Sequence, residues 1–472
     1  MDRKNICRSC ALRIDVLIAI LTLLMMAEAA GAATLTVNAS GGAMYTTIQA
    51  AINAANTGDT IEVTSGVYSE YVNINKQLIL IGKDMGGGKP IIDNGKIVLN
   101  TNGIIFEGFK IMNSLRGWPE AGILIYSNDN IIRNNVVMNS PYGGILLYTF
   151  SNNNTIFGND ASLNGEMGIE LWSSNNNKIE NNVVNSNPSY GIYMYNSYNN
   201  NLINNTANMN NQGGAIQLEH SINNTISGNT VKSNNWGINL VYQDDQSNTI
   251  INNKVENNSN TGILLQGSGN TILNNIIINN SNYGIYMRSS DNTVYNNRFN
   301  NANNIYLHPQ FSGSNYWNIT KTPSINIMGG FYLGGNFWAN PSGTGFSQTC
   351  ADVNKDSICD SIYTLSAGNV DHLPLSAVTP EFGYITGIVY NSTGIAGAIV
   401  TTNTNNITST DASSTYSLVV PAGTYNLTVT KEPEYYSNTS VVVTAISGTT
   451  VVQDIELLKK LTGNITGIVS IV

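Results

Sequence analysis

Five carboxylates fall within a stretch of short repeated segments: Glu166, Glu170, Glu219, Asp244 and Asp245. Two carboxyl groups at a set separation are the apparatus of glycoside cleavage, one acting as acid and the other as base or nucleophile. His220, Lys232 and Arg288 are the scarce neighbours able to carry charge or exchange a proton. Asp244-Asp245 sits in the longest repeat, a small insertion of the kind in which such scaffolds place function. The catalytic candidates are therefore Glu170, Glu219, Asp244, Asp245 and Arg288. A chain with many repeats also brings acidic residues together by chance, so a non-catalytic role stands beside this reading.

A second group points to metal chemistry. Asp352, Asn354, Asp356 and Asp360, with the backbone carbonyl of Ile358, place oxygen ligands at alternate positions of a short loop. Such a set suits calcium, a hard cation. It departs from the EF-hand pattern, lacking the loop's glycine and its closing acidic residue. A solvated acidic turn is the alternative. Cys350 and Cys359 flank the loop, and a disulfide between them would hold it.

The third group is aromatic. Tyr126, Tyr148, Trp172 and Tyr195 recur at the same place in successive repeats, followed by Glu219. One residue pair earlier runs a second column of Leu124, Leu146, Glu170, Tyr193 and Gln217. If both columns point away from a core, the aromatics form an exposed stripe suited to stacking on sugar rings, with the carboxylates meeting hydroxyls. A stabilising external ladder is the competing reading.

All three groups depend on the repeat that would position them. Gly-Ile-x-Leu or a close variant begins at Gly122, Gly144, Gly168, Gly191, Gly214, Gly237, Gly262 and Gly284. The spacings are 22, 24, 23, 23, 23, 25 and 22 residues. Each repeat also carries an asparagine: Asn135, Asn159, Asn182, Asn205, Asn229, Asn253, Asn275 and Asn297. A fixed period of this size marks stacked units. The unit reads as short β segments broken by Asn, Ser and Gly, with Ile and Leu on one face and the residue between them on the other. One coil cannot bury its apolar face alone, but a stack builds a continuous aliphatic column. The expected fold is all-β: a right-handed parallel β-helix of about 22–25 residues per coil, followed by a small β-sandwich. Asn suits the corners, where it tolerates left-handed backbone, and stacked asparagines would form a ladder from coil to coil.

Composition narrows the partners. Charged residues make up 11% of the 472 residues, so the surface must be largely Asn, Ser and Thr. A net charge of −9, with no basic stripe, argues against nucleic acid. Residues 1–33 read as a secretory signal: a basic start, an apolar run over residues 16–27 and small residues after it. Cys7 and Cys10 fall inside that leader. No second apolar stretch of spanning length follows. The mature protein is therefore expected outside the cell or on its surface.

Residues 34–110 read as less regular first coils, with a helix near Ile48, Ile52 and Ala55 capping the column. Residues 111–310 are the regular coils. Residues 311–378, rich in aromatics at Trp317, Phe331, Phe337, Trp338 and Phe346, close the far end. Residues 384–460 change to alternating strands with Gly and Pro turns, a sandwich pattern. At residues 461–472 Asn-Ile-Thr-Gly-Ile-Val echoes Tyr384-Ile385-Thr386-Gly387-Ile388-Val389, as if a further copy begins and breaks off. Asn391, Asn406, Asn426 and Asn438 are the best-placed N-glycosylation acceptors.

The segment Thr47-Ile48-Gln49-Ala50-Ala51-Ile52, followed by Gly58-Asp59-Thr60-Ile61-Glu62-Val63 and Gly66-Val67-Tyr68, resembles the start of right-handed β-helix proteins of the pectate-lyase-like superfamily. The later coils resemble the NosD-type family and carbohydrate-binding and sugar-hydrolysis domains. The closing segment resembles archaeal surface β-helix proteins, and residues 384–460 resemble a carboxypeptidase-regulatory-like module. This resemblance implies a structural, adhesive or carbohydrate-binding role, with polysaccharide or surface glycan or other surface proteins as partners. The alternative it implies is a polysaccharide lyase, hydrolase or epimerase. Copper handling, as in NosD-type relatives, finds little support: His220, His308 and His372 are scattered, with no Met or Cys cluster.

Overall fold

The computed structural model describes residues 32–114, 119–311, 313–377, 382–404 and 406–460. The expected leader lies outside these residues except for its last two positions, and the echo at residues 461–472 lies outside them entirely. Among the described residues no helix is long and apolar enough to cross a membrane. The chain forms two compact units, Met1–Asn235 and Trp236–Val472.

The first unit is a parallel β-helix with three walls. The first wall runs from Thr34–Val37 through Thr60–Thr64, Ile79–Lys83 and Ile105–Glu107 to Thr225–Ser227, every strand parallel to the next. The second begins with Val67–Tyr68, Ile91–Asp93, Lys110–Met112 and Val136–Met138. It continues through single bridges at Asp160 and Val183 to Thr206–Asn208 and Thr230–Lys232. The third carries the longest strands: Tyr71–Ile74, Lys96–Leu99, Ala121–Ile125, Gly143–Tyr148, Met167–Trp172, Tyr190–Tyr195 and Gly214–Glu219. Ile123, Ile145, Ile169, Ile192 and Ile216 lie in register, each 0% exposed, so the aliphatic column is real. The helix Ile48–Ala54 closes the start of the coil with Ile48, Ala51 and Ile52 buried. Glu70 accepts from Ile48 N at 2.8 Å and Gln49 N at 2.9 Å, filling the acceptor role at the helix start.

The corners explain the recurring Asn-Asn pairs. The first asparagine takes the left-handed conformation, as at Asn134 (φ 56°), Asn181 (φ 56°) and Asn204 (φ 53°). The second turns inward. Asn159 Oδ1 accepts from Asn135 N at 3.0 Å, Asn182 Oδ1 from Asn159 N at 2.9 Å, and Asn205 Oδ1 from Asn182 N at 2.9 Å. Each Nδ2 donates to a buried carbonyl of the preceding coil, as Asn182 does to Ile156 O at 2.8 Å. Two more columns repeat the device, through Asn130, Asn154, Asn177 and Asn200, and through Asn164, Asn187 and Asn210. Nearly all of these buried amides thus find partners above and below, Asn177 Nδ2 being the one in these columns without one among the described residues.

The recurring glycine has its own cause. A Cβ on Gly144 would stand 2.6 Å from the carbonyl oxygen of Gly168, and one on Gly168 would stand 2.6 Å from that of Gly191. The register pairs Ile216 with Ile192, so Ala215, and not Gly214, takes the equivalent place in the next coil.

The second unit repeats the three-wall plan. Its strands include Trp236–Leu240, Thr261–Leu265, Tyr283–Met287 and Ile305–Leu307 on the third wall, with Ile238, Ile263 and Ile285 buried. Arg298–Asn300 continues into Phe337–Ala339 of the closing segment. There Trp338 Nε1 donates to the buried Asp371 at 2.8 Å. Residues 382–460 form two sheets: Phe382–Asn391 with Thr415–Pro421, and Ile399–Thr402 with Gly423–Thr430 and Asn438–Ala445. Ile385, Val400, Tyr416, Leu427 and Val429 share one buried cluster, the core of a small sandwich.

Candidate site on the outer third wall

In the first unit the third wall presents two outward columns. Leu124, Leu146, Glu170, Tyr193 and Gln217 stand in register, and so do Tyr148, Trp172, Tyr195 and Glu219. Alternation places them outside the coil, as expected, but outside is not the same as exposed. The first column is buried throughout, Glu170 being 1% exposed. Val98, Ala121, Leu124 and Leu146 form a separate apolar cluster, and Tyr148 and Trp172 pack against it. The expected open aromatic stripe is therefore corrected: only Tyr126, 41% exposed, stands free, while Tyr148, Trp172 and Tyr195 are half-buried. Tyr126 meets Tyr148 edge-on at 5.8 Å, Trp172 stacks on Tyr195 at 4.3 Å, and Tyr195 meets His220 edge-on at 5.6 Å. The row is a rim with one face committed to packing.

Below that rim lies an unusual carboxyl. Neither oxygen of Glu170 has a hydrogen-bond partner among the described residues. Burial, reinforced by the neighbouring Glu166, pushes its pKa up to about 8, so it is protonated at neutral pH. Tyr142 feels both Glu170 and Glu166, and burial drives its phenol well above the ordinary tyrosine range. Tyr193, next in register, is also held firmly protonated, by burial first and then by the charge of Glu219 and a hydrogen bond to it. Gln217 Nε2 donates to Glu219 Oε1 at 2.6 Å and to the Tyr190 hydroxyl at 3.2 Å. Tyr190 stacks on Tyr193 at 5.0 Å. The wall thus carries a protonated, unpartnered acid at Glu170 and, one coil on, a phenol hydrogen-bonded to a second carboxyl.

The other candidates are not gathered here. Lys232 lies exposed on the second wall. Asp244 is exposed and Asp245 buried in the second unit, where Asp245 Oδ2 accepts from Tyr242 N at 2.7 Å and so shapes a turn. Arg288, also in the second unit, stands 4.7 Å over the Phe311 ring. Tyr142 and Tyr190 were missed by sequence reasoning. The signal for Tyr190 was an aromatic just before the Gly-Ile step, repeated at Trp236 and Tyr283, while Tyr142 stands one residue earlier, before Gly143.

The acidic loop is closed by the Cys350–Cys359 disulfide, with Cα atoms 5.7 Å apart. Its carboxylates do not converge. Asp352 Oδ1 accepts from Asp356 N at 3.0 Å, and its Oδ2 accepts from Ser357 N at 2.9 Å and Ser376 Oγ at 2.7 Å. Asp356 accepts from Ile358 N at 2.9 Å and from the Lys321 ammonium at 2.5 Å. Asp360 accepts from Val353 N at 2.9 Å. Asn354 accepts from Asp356 N at 3.1 Å. No group of three or more His, Cys, Asp or Glu side chains able to hold a metal occurs among the described residues. As arranged, Asp352, Asn354, Asp356, Ile358 and Asp360 build a hydrogen-bonded turn. Among the glycan acceptors, Asn391 is engaged, its Nδ2 donating to Leu457 O at 2.7 Å.

A family profile described as "Periplasmic copper-binding protein (NosD)" matches residues 52–253 and 204–343, more than half of the chain. The chain belongs to the NosD family. Its fold is the right-handed parallel β-helix that the repeat implied. No curated protein matches this NosD-family chain. Among solved structures, the Azotobacter vinelandii mannuronan C-5 epimerase AlgE6 A-module aligns at 17% identity and TM-score 0.45, over 57% of this chain and 93% of that one. The GH136 lacto-N-biosidase from Eubacterium ramulus aligns at 12% identity and TM-score 0.48, over 65% and 70%. Pectate lyase Pel9A aligns at 15% identity and TM-score 0.43, over 60% and 80%. Among the described residues the copper in the family description finds no matching ligand set. His220 lies against Tyr195, His308 against Tyr306 and Phe311, and Cys350 and Cys359 are bonded to each other.

Proposed function

We propose that this protein acts on carbohydrate outside the cytoplasm, with the outer third wall of the first unit as its site. The observation that carries this reading is Glu170, a buried carboxyl without a partner, held protonated and in register with Tyr193 of the next coil. A scaffold has no use for such a group, because an unpaired buried acid destabilises the fold. A reaction needing a proton donor at neutral pH does use one. In this reading Glu170 protonates the leaving oxygen of a glycosidic bond. Glu219 acts as the base toward water, and its hydrogen bond with Tyr193 orients it. Hydrolysis suits the residues better than uronate lysis or epimerisation. Those reactions require the sugar carboxylate to be neutralised, and cationic side chains are scarce on this face among the described residues. The half-exposed row Tyr126, Tyr148, Trp172 and Tyr195 would guide the chain of sugars. Export agrees with the Cys350–Cys359 disulfide, a bond typical of oxidising compartments.

A binding-only, adhesive role is the second reading, favoured by the depth at which Glu170 lies. One experiment separates the two. The protein is incubated with a panel of neutral and uronate polysaccharides, and reducing ends, unsaturated uronate and the sugar NMR spectrum are followed. Turnover that disappears in Glu170→Gln, with glycan binding kept, supports hydrolysis. Binding lost in Trp172→Ala with Tyr195→Ala, without turnover in the native protein, supports adhesion. Neither binding nor turnover on any polymer would reject the carbohydrate reading.

A further inference from the structure

The closing end of the second unit contains a cavity of about 560 Å³ that the site above does not involve. Two of the three walls are carried on past their last coil. Arg298–Asn300 is followed by Phe337–Ala339, and Thr293 is bridged by Tyr316. The third wall stops at Ile305–Leu307, which pairs with Tyr283–Met287 on one side and ends its sheet on the other. The cavity lies beyond that edge. Successive residues line it, 301–307 from the coil and 363–366 from the hairpin strand Tyr363–Ser366. A sheet face would present alternate residues, so backbone edges border this space.

Its chemistry is neutral. None of the residues lining it carries a charge. Tyr306 is stacked on Tyr286 at 5.1 Å, and Tyr363 is wedged between Trp338 at 5.1 Å and Phe346 at 4.8 Å. Both rings are therefore held rigidly. Neither phenol oxygen has a hydrogen-bond partner among the described residues, so both are available to a ligand. Thr364, Asn303 and the unpaired edge of Ile305–Leu307 add further donors and acceptors around the same space. Rigid aromatic walls with uncharged hydrogen-bonding groups and room for a small molecule match a sugar, which offers apolar ring faces and a rim of hydroxyls.

We propose that this cavity is a second carbohydrate site, one that takes the end of a short neutral oligosaccharide. It is independent of the reaction proposed for the first unit. The test is calorimetric titration of the full chain with neutral oligosaccharides (gluco-, manno-, galacto- and N-acetylglucosamine series) and with uronate oligomers as the charged control. One neutral series should bind. Tyr306→Phe and Tyr363→Phe keep the packing and remove only the hydroxyls, and each should weaken binding about five-fold. Thr364→Trp, which fills the space, should abolish the binding that persists when Trp172→Ala and Tyr195→Ala have removed the first-unit row. The proposal is overturned if no neutral series binds once Trp172→Ala and Tyr195→Ala have removed the first-unit row, if that binding survives Thr364→Trp, or if uronate binds equally well in the same background. It is also overturned if a strand-forming peptide, not a sugar, is what Thr364→Trp excludes.

Discussion

The corners of the coil and the outer face of its third wall both bury polar side chains, with opposite results. At the corners the amides are matched, Asn177 Nδ2 alone among the columns described above lacking a partner. Asn182 accepts from Asn159 through its oxygen and donates to Ile156 O and Asn205 through its nitrogen. One coil lower or higher the same residue repeats the same bonds. On the wall, Glu170 has a carboxyl in a place as dry as any corner and no partner among the described residues. The ladder is the part of the molecule that holds the fold. The lone acid works against the fold, and that opposition marks it as the group to examine for function.

The largest effect is expected from interrupting the ladder. Asn182→Ala leaves Asn159 N and Ile156 O without these bonds in a dry interior, while Asn159 Nδ2 keeps its bond to Ile132 O. Each such group costs about 1–3 kcal/mol, so a loss of about 4–5 kcal/mol should be seen in denaturant unfolding. A loss below about 1 kcal/mol would mean the corners are not the source of stability argued here.

Glu170 should show the reverse sign. Its folded pKa of about 8 lies above the unfolded carboxyl value, so the folded state holds the extra proton between the two. Stability is then fully present below about pH 4.5 and is lost as pH rises through about 8, by at most about 4–5 kcal/mol. Glu170→Gln should remove that slope and make the protein more stable than wild type at pH 9. Parallel pH curves for the two proteins would show that the acid is solvated after all.

The acidic loop offers a smaller, third case, in which carboxylates are buried within a turn but matched. Cys350→Ser with Cys359→Ser opens a loop of separation 9 and should cost about 2–3 kcal/mol. Its unfolding curve, run with and without reductant on the native protein, checks this. The smallest effect concerns calcium. With Asp352, Asp356 and Asp360 already accepting from backbone N–H groups and Lys321, added calcium or chelator should move the melting temperature by less than about 1 °C. A rise of several degrees would show that the loop rearranges around the ion.

Much of this could be read from the order of residues. A period of 22–25 residues, aliphatic pairs at a spacing of two and asparagine at each corner leave a parallel coil as the arrangement that buries one set and pairs the other. The disulfide follows from two isolated cysteines a short loop apart. The burial of the outward column could not be read in this way. Strand alternation says only which side of the backbone Glu170, Tyr193 and Gln217 occupy, and it is blind to what lies over them. Whether an outward side chain meets water or protein depends on segments from other coils, such as those carrying Tyr142 and Tyr190. The pKa of Glu170 follows from that burial, because desolvation is set by everything within a few ångströms and local sequence records only a part of it. The same limit hid the closing cavity, whose walls come from stretches some sixty residues apart along the chain.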